Sequence, residues 1–505
     1  MIATQPRTAP PTGLSVVFVE VNEAERHFLE RLVGEGKLPN LARMLQGGVI
    51  QRTRVRGFDP SVHRAWRLIS PWIVWPSVYS GLEPAEHGII GFGQDTSSIR
   101  GRCLWDVLDA HDVSVGVFGS LMSYPPRTQG HARYYVPEGL ADDASCIPET
   151  ARPVQEFCIF SARNYSESFS LKALEAARLL LCTLKSGVRP ATVFKTLAQV
   201  PKEVIFGAAR VPERAMLASY IAFDAFRALY SEHRPSFATL HMNHVAYMQH
   251  RYWRAAEPQH YRDELSATDQ RFFRDVEARK RYEQGFAHWI ERSFRYTDEV
   301  LGRVLELVDD KTIVLVGTGL GQRPFDPVHQ IHNPVVRLVR ERELFDALGL
   351  ERYTVLHQMN PDVTINCQDE PAARAAEQAV GGLYVLEGEA LFEVARRGKQ
   401  VFVELNMPRR EAGAELPPIR HRERAGFSAP FSRHIHEHPT ADQSTAHHKD
   451  TGWLLAYSKG FQLEAAADTM YVTDVAPTVL SWFGVPIPPW MDAARAPAIR
   501  IAPRS

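Results

Sequence analysis

The chain has 505 residues, 45% of them hydrophobic and 23% charged, which fits an ordinary globular protein and exceeds what one small core accommodates. With 58 Lys plus Arg against 59 Asp plus Glu, the net charge of −1 excludes a global attraction for nucleic acid or anionic membrane and leaves only local patches. The five cysteines, Cys103, Cys146, Cys158, Cys182 and Cys367, are odd in number and form no C-x-x-C pair, which argues against a disulfide framework or a thiolate zinc site.

The first 13 residues are polar and Pro-rich, and no apolar run approaches the roughly 18 residues of a membrane span, so a cytoplasmic protein without a span is expected. Residues 15–21 read as a buried strand and 25–32 as an amphipathic helix. A helix at 104–110 and a strand at 113–118 follow. Between 135 and 235 the pattern turns helical, notably at 170–186 and 212–230; an inserted cap over the site and a helical extension of the core both fit. Residues 237–242 and 312–316 are further strands, the second after a long helix at 286–308. Residues 409–442, rich in Pro, Arg and His, read as a long irregular loop. Strands alternating with helices predict an α/β fold: a doubly wound, mainly parallel sheet. Its core is expected at 14–134 and 236–492, with the helical cap or insertion at 135–235 and a His-rich loop near 409–448.

Four segments carry a resemblance. In SPWIVWPSVYSGLEPAEHGIIG, residues Ser80, Gly81, Pro84, His87, Gly88 and Ile89 fit a "TG-x-x-P-x-x-HGI" run. The apolar stretch before Asn22, with GKLPNLARMLQGGV after it, resembles a first strand, metal-binding position and "LPNL" turn. His448 to Gly452 fits "H-x-x-x-G", and TDVAPTVLSWFGVP fits "D-x-A-P-T-x-L-x-x-x-G-x-P". In this order the four resemble the alkaline phosphatase superfamily, specifically type I phosphodiesterases and nucleotide pyrophosphatases. The resemblance implies the alkaline phosphatase-like fold and a pair of divalent metals, one activating a Ser or Thr nucleophile and one holding phosphoryl oxygens.

Residue by residue, much of that set is replaced. The nucleophile column falls on Pro71 or Val74, leaving Ser70 and Ser77 as nearby hydroxyls. The first Asp falls on Asn22, with Glu20 on the same strand. The Asp of "D-x-x-x-H" falls on Ala246, while His250 keeps the His. The "S-D-H-G" corresponds to Thr318, Gly319, Leu320 and Gly321. His448 keeps the last His. The chain is similar to a divergent branch, associated with surface-glycan genes, that shares "E-x-N-E" (Glu20, Asn22, Glu23), "PW-x-x-W" (Pro71, Trp72, Trp75) and "NH-x-A-x-x-QH-x-YW" (Asn243 to Trp253). This implies Glu20, Glu23 and Ser70 as catalytic candidates, and Asn22, Asn243, His244, Trp72 and Trp75 as substrate-binding ones. His250 and His448 are the metal ligands, for at most one divalent ion such as zinc. His241, His447 and the alternating His434, His436 and His438 are further imidazoles that could refill a site, while His87 is expected to hold its own loop. Two readings stay open: phosphate-ester chemistry on a small-molecule, nucleotide-linked or glycan substrate, and a non-hydrolytic relative, either transferase or glycan-binding protein.

Overall fold

A computed structural model describes residues 13–56, 69–89, 96–163, 173–206, 210, 212–261, 264–265, 273–324, 336–357, 363–406, 416–437, 445–491 and 497–502. Its centre is an eight-stranded sheet. Six strands come early: β1 (Ser15–Val21), β2 (Val49–Arg54), β3 (Val115–Phe118), β4 (Ala132–Val136), β5 (Phe237–Met242) and β6 (Thr312–Gly317). Across the sheet the order is Thr469–Tyr471, β2, Thr451–Ser458, β6, β1, β5, β3, β4. All neighbours are parallel except Thr451–Ser458, which runs antiparallel to both β2 and β6. The predicted strands at 15–21 and 312–316 are direct partners, Val16 opposite Ile313.

The central strands are apolar on both sides because both faces are covered. Val17, Val19 and Val21 enter one core with Phe28, Leu29, Trp289 and Phe294; Val16 and Phe18 enter the other with Trp75, Tyr79 and Leu315. The predicted long helix at 286–308 is His288–Leu307, and a further helix, Val276–Phe286, precedes it across Ala287. The helical stretch after β4 comprises Arg152–Arg163, Ala173–Cys182, Pro190–Leu197, Gln199–Phe206 and Glu213–His233. Its Val154, Leu179, Val193, Ile221 and Phe226 share the first of these cores.

The second half differs from the sequence reading. Residues 336–437 build a module with its own core, including Phe345, Ile365, Val380, Val401 and Ile419. A four-stranded antiparallel sheet (Phe392–Arg397, Gln400–Leu405, Val363–Cys367, Tyr353–His357) packs on helix Glu370–Gly381. The described part of the expected irregular loop is ordered structure: Ile419–His421 pairs with Arg424–Ala429, and Ile435–Glu437 pairs with Val336–Leu338. Polar alternation on strands with one wet face had read as loop. No helix among the described residues is long and apolar enough to cross a membrane.

Candidate metal centre

Chain direction changes sharply where β1 ends. The Asn22 N–H donates to the Met242 carbonyl at 3.0 Å, and Glu23 then takes a left-handed backbone, φ 59, rare for a side chain of this kind. Its N–H donates to the Thr318 carbonyl at 3.1 Å, and its carbonyl accepts from Gln249 Nε2 at 2.8 Å. So held, the buried carboxylate meets two imidazoles. Glu23 Oε2 lies 2.9 Å from His250 Nε2, on helix His244–Ala256, and 3.3 Å from His448 Nε2, on strand Ala446–Lys449. The two ring centroids are 5.0 Å apart. That strand pairs with β7 (Gly321–Pro324), which sets Gln322 opposite His448, and Gln322 Nε2 donates to the same Glu23 oxygen.

The second nitrogen of each ring decides what this triad can do. His250 Nδ1 donates to the Ala446 carbonyl at 2.9 Å, and the His448 ring also hydrogen-bonds the Ile69 backbone. A neutral His250 ring with its proton on Nδ1 turns a lone pair on Nε2 toward the carboxylate, an arrangement that a shared cation or an added proton must stabilise. Burial by itself would raise the Glu23 carboxyl, but the His448 and His250 imidazoles hold it well below the usual carboxylate range. Burial would likewise lower His448, and Glu23 outweighs it and raises the ring above its ordinary value. Two imidazoles and one carboxylate, with ligand atoms all within 4.8 Å of one another, suit a divalent ion such as zinc. Bonds of about 2.0–2.1 Å to a tetrahedral ion place ligand atoms about 3.3 Å apart, close to the two carboxylate–imidazole spacings of 2.9 and 3.3 Å. Among the described residues this is the one such group.

Residues 16–368 match the model of the family described as type I phosphodiesterase / nucleotide pyrophosphatase. The chain belongs to this family. Solved structures similar to it include human ectonucleotide pyrophosphatase / phosphodiesterase 5, at 10% identity and TM-score 0.39 over 94% of this chain and 96% of that one. Phosphonoacetate hydrolase from Sinorhizobium meliloti 1021, in complex with phosphonoformate, is similar at 16% identity and TM-score 0.38 over 95% of each chain. No curated protein sequence matches.

Around the Glu23, His250 and His448 triad the other predicted residues separate into distinct places. Asn22 lies beside the triad, its Nδ2 donating to Glu23 Oε1 at 3.0 Å and to Asn243 Oδ1 at 2.8 Å, and Asn243 stands exposed at the rim. Trp75 offers no open ring for substrate. It is buried, stacked on Tyr79 and edge-on to His241, and its indole N–H donates to Asn22 Oδ1 at 2.8 Å. His244 is also a core residue rather than a substrate ligand: Nδ1 meets Ser219 Oγ at 3.1 Å and Nε2 meets Thr297 Oγ1 at 3.0 Å. Burial pushes it down to about 4.

Ser70 caps helix α3 (Pro71–Ser80, the third of the chain after Arg26–Gly34 and Pro39–Gly47), its hydroxyl 3.4 Å from Trp72 N; Trp72 itself packs partly buried against the second core. Ser77 bonds His87 Nε2 at 3.0 Å, and His87 Nδ1 accepts from the Ile89 N–H at 3.0 Å, so His87 does hold its own turn. His434 ends a helix and faces the Arg340 carbonyl, His447 faces Arg323, and His438 lies outside the described residues.

Glu20 has a different setting. It is wholly buried and accepts from Tyr79 OH at 2.8 Å, from Ser120 Oγ at 2.9 Å and from His241 Nδ1 at 2.9 Å. His241 Nε2 is buried with no hydrogen-bond partner. Tyr79, which with Trp72 and Trp75 could have formed a stacking platform for a sugar, is buried and donates to Glu20 instead. Ser120, Gln249 and Gln322 are polar residues of the site region that sequence reasoning did not select, and of these only Gln249 stood in a quoted motif.

Proposed function

We propose that this family member carries out phosphate-ester chemistry with one divalent metal, held by Glu23, His250 and His448, and without a covalent serine intermediate. The observation that carries the reading is the convergence of those three side chains at the carboxyl ends of β1, β5 and β6, where α/β sheets bind ligands. A divalent ion there supplies Lewis-acid polarisation of a phosphoryl oxygen. The exposed Asn243 amide, fixed through Asn22, orients a substrate oxygen at the rim. Glu20 cannot reach a substrate itself. It holds His241 in one orientation through Nδ1.

The neighbouring space supports one metal rather than two. Asn22 Oδ1, at the column of the family's first Asp, is engaged by the Trp75 indole, and a Cβ at Gly319, in the "S-D-H-G" columns, would lie 3.0 Å from that same ring. The indole thus takes the volume in which a second ligand set would stand. Pro71 at the nucleophile column, with Ser70 as a helix cap, supports transfer to water or to another acceptor without a serine ester. That leaves a transferase acting on a nucleotide-linked or glycan phosphate as the second reading, favoured by the same missing hydroxyl.

Metal content of the purified chain, with aryl phosphate mono- and diester assays across zinc, manganese and magnesium, tests this. One ion per chain, lost in His250→Ala and in His448→Ala, together with chelator-sensitive diester turnover, is the expected result. Two ions per chain, or turnover abolished by Ser70→Ala in a folded protein, overturns it.

A further inference from the structure

We infer that the helical stretch from 173 to 206 is a docking surface for an anionic lipid bilayer. All six large hydrophobic side chains that stand exposed among the described residues fall in it: Leu174, Leu181, Leu184, Phe194, Val204 and Ile205. Leu174 is 87% exposed, Val204 82%, Phe194 74% and Ile205 71%. These are not the core faces of their helices. Helix Ala173–Cys182 already buries Ala176, Leu179 and Leu180, and helix Pro190–Leu197 buries Val193, so each carries a second apolar face toward solvent. A helix apolar on both sides buries both in its working state.

Charge selects the occupant. The chain as a whole is balanced, yet between 173 and 206 five cations (Arg178, Lys185, Arg189, Lys195, Lys202) stand against two acids (Glu175, Glu203); Arg189 pairs with Asp224, Lys202 with Glu213, and Lys195 lies over the Tyr220 ring. Arg178 lies four residues after Leu174 and three before Leu181, on the same helical face, and Lys185 continues that spacing. Arg178 and Lys185 make no ion pair among the described residues, whereas Glu203 is neutralised by Arg214. Apolar side chains interleaved with unpaired cations match an interface of acyl chains beneath anionic headgroups, and no spanning helix is required. The inference is independent of the metal centre.

Flotation of the full chain with phosphatidylglycerol-containing and pure phosphatidylcholine vesicles decides it. Expected are at least tenfold stronger partition onto the anionic vesicles and marked weakening between 50 and about 500 mM salt, as the Debye length shortens. A tenfold or greater loss is expected in the quadruple variant Leu174→Ser, Phe194→Ser, Val204→Ser, Ile205→Ser. These side chains are exposed, so the variant keeps its fold; Arg178→Glu with Lys185→Glu gives a second variant with the apolar face intact and the same direction of loss. No binding to anionic vesicles, equal binding to both vesicle types, or a solution dimer that the quadruple variant dissociates overturns the proposal, the last result making the face a contact between two copies.

Discussion

Glu20 and Glu23 stand three residues apart at the end of one strand, and they end in opposite situations. Glu20 points under helix α3, where Tyr79, Ser120 and His241 donate to it. Glu23, one turn later and in a left-handed backbone, points to two imidazoles whose other nitrogens are tied to the backbone. The first carboxylate is saturated by donors and acts as structure. The second is faced by groups that also have lone pairs, and it is built to share a cation. Residue type does not separate these roles; the donor or acceptor character of the partners does.

Four experiments press on this contrast. The largest effect is expected from Glu20→Ala, which leaves the Tyr79 hydroxyl, Ser120 and His241 without their buried acceptor. Breaking a buried, hydrogen-bonded charge costs about 3–5 kcal/mol. Chemical denaturation of the metal-free chain measures it, and a loss below about 1 kcal/mol would mean that Glu20 is not the anchor described.

His244 gives the control of a buried imidazole with no carboxylate opposite. Its folded value of about 4 lies below the ordinary 6.5, so the unfolded chain takes the proton first. Stability from this residue is therefore complete above pH 6.5 and is lost as pH falls from there toward 4, by on the order of 3 kcal/mol in all. Denaturation curves in chelator should show this fall, and His244→Asn should flatten it relative to the parent. An unchanged slope would place His244 outside the packed core.

For the other carboxylate, Glu23→Gln keeps size and removes charge. Metal affinity should drop at least about 100-fold, equivalent to about 2.7 kcal/mol, and the metal-free chain should lose stability near neutral pH, where the imidazoles hold Glu23 ionised in the folded state. Isothermal titration with zinc reads the first quantity. Full affinity in this variant would end the metal assignment.

The smallest effect belongs to the Trp75 indole, which stacks on Tyr79 and donates to Asn22. Trp75→Phe keeps most of the packing and removes the donor to Asn22 Oδ1, a loss of about 1–2 kcal/mol. If the freed Asn22 oxygen and the vacated space beside Gly319 then admit a second ion, metal stoichiometry will exceed one per chain. That result would identify the indole as the reason for a single site.

Much of this was written in the chain. Largely apolar runs at 15–21, 237–242 and 312–316 marked three strands, which the fold sets side by side and parallel, because a strand covered on both faces needs that composition. Motif residues His250 and His448, and the acidic residue Glu23, were recognisable candidates because each stands in a segment that resembles a family motif. What remained hidden depends on contacts between distant segments. Thr451–Ser458 runs against its neighbours because the ribbon of Gly321–Pro324 and Ala446–Lys449 returns the chain into the sheet, and no local pattern records that. The module at 336–437 has the ordinary alternation of small antiparallel sheets and was hidden by its polar faces. Above all, the division of labour between Glu20 and Glu23 was set by a left-handed turn, by Ser120 a hundred residues away and by Gln322 some three hundred away. Sequence supplies the side chains and the strands that carry them, but a carboxylate's chemistry is decided by whichever donors and lone pairs the tertiary fold brings within hydrogen-bonding distance.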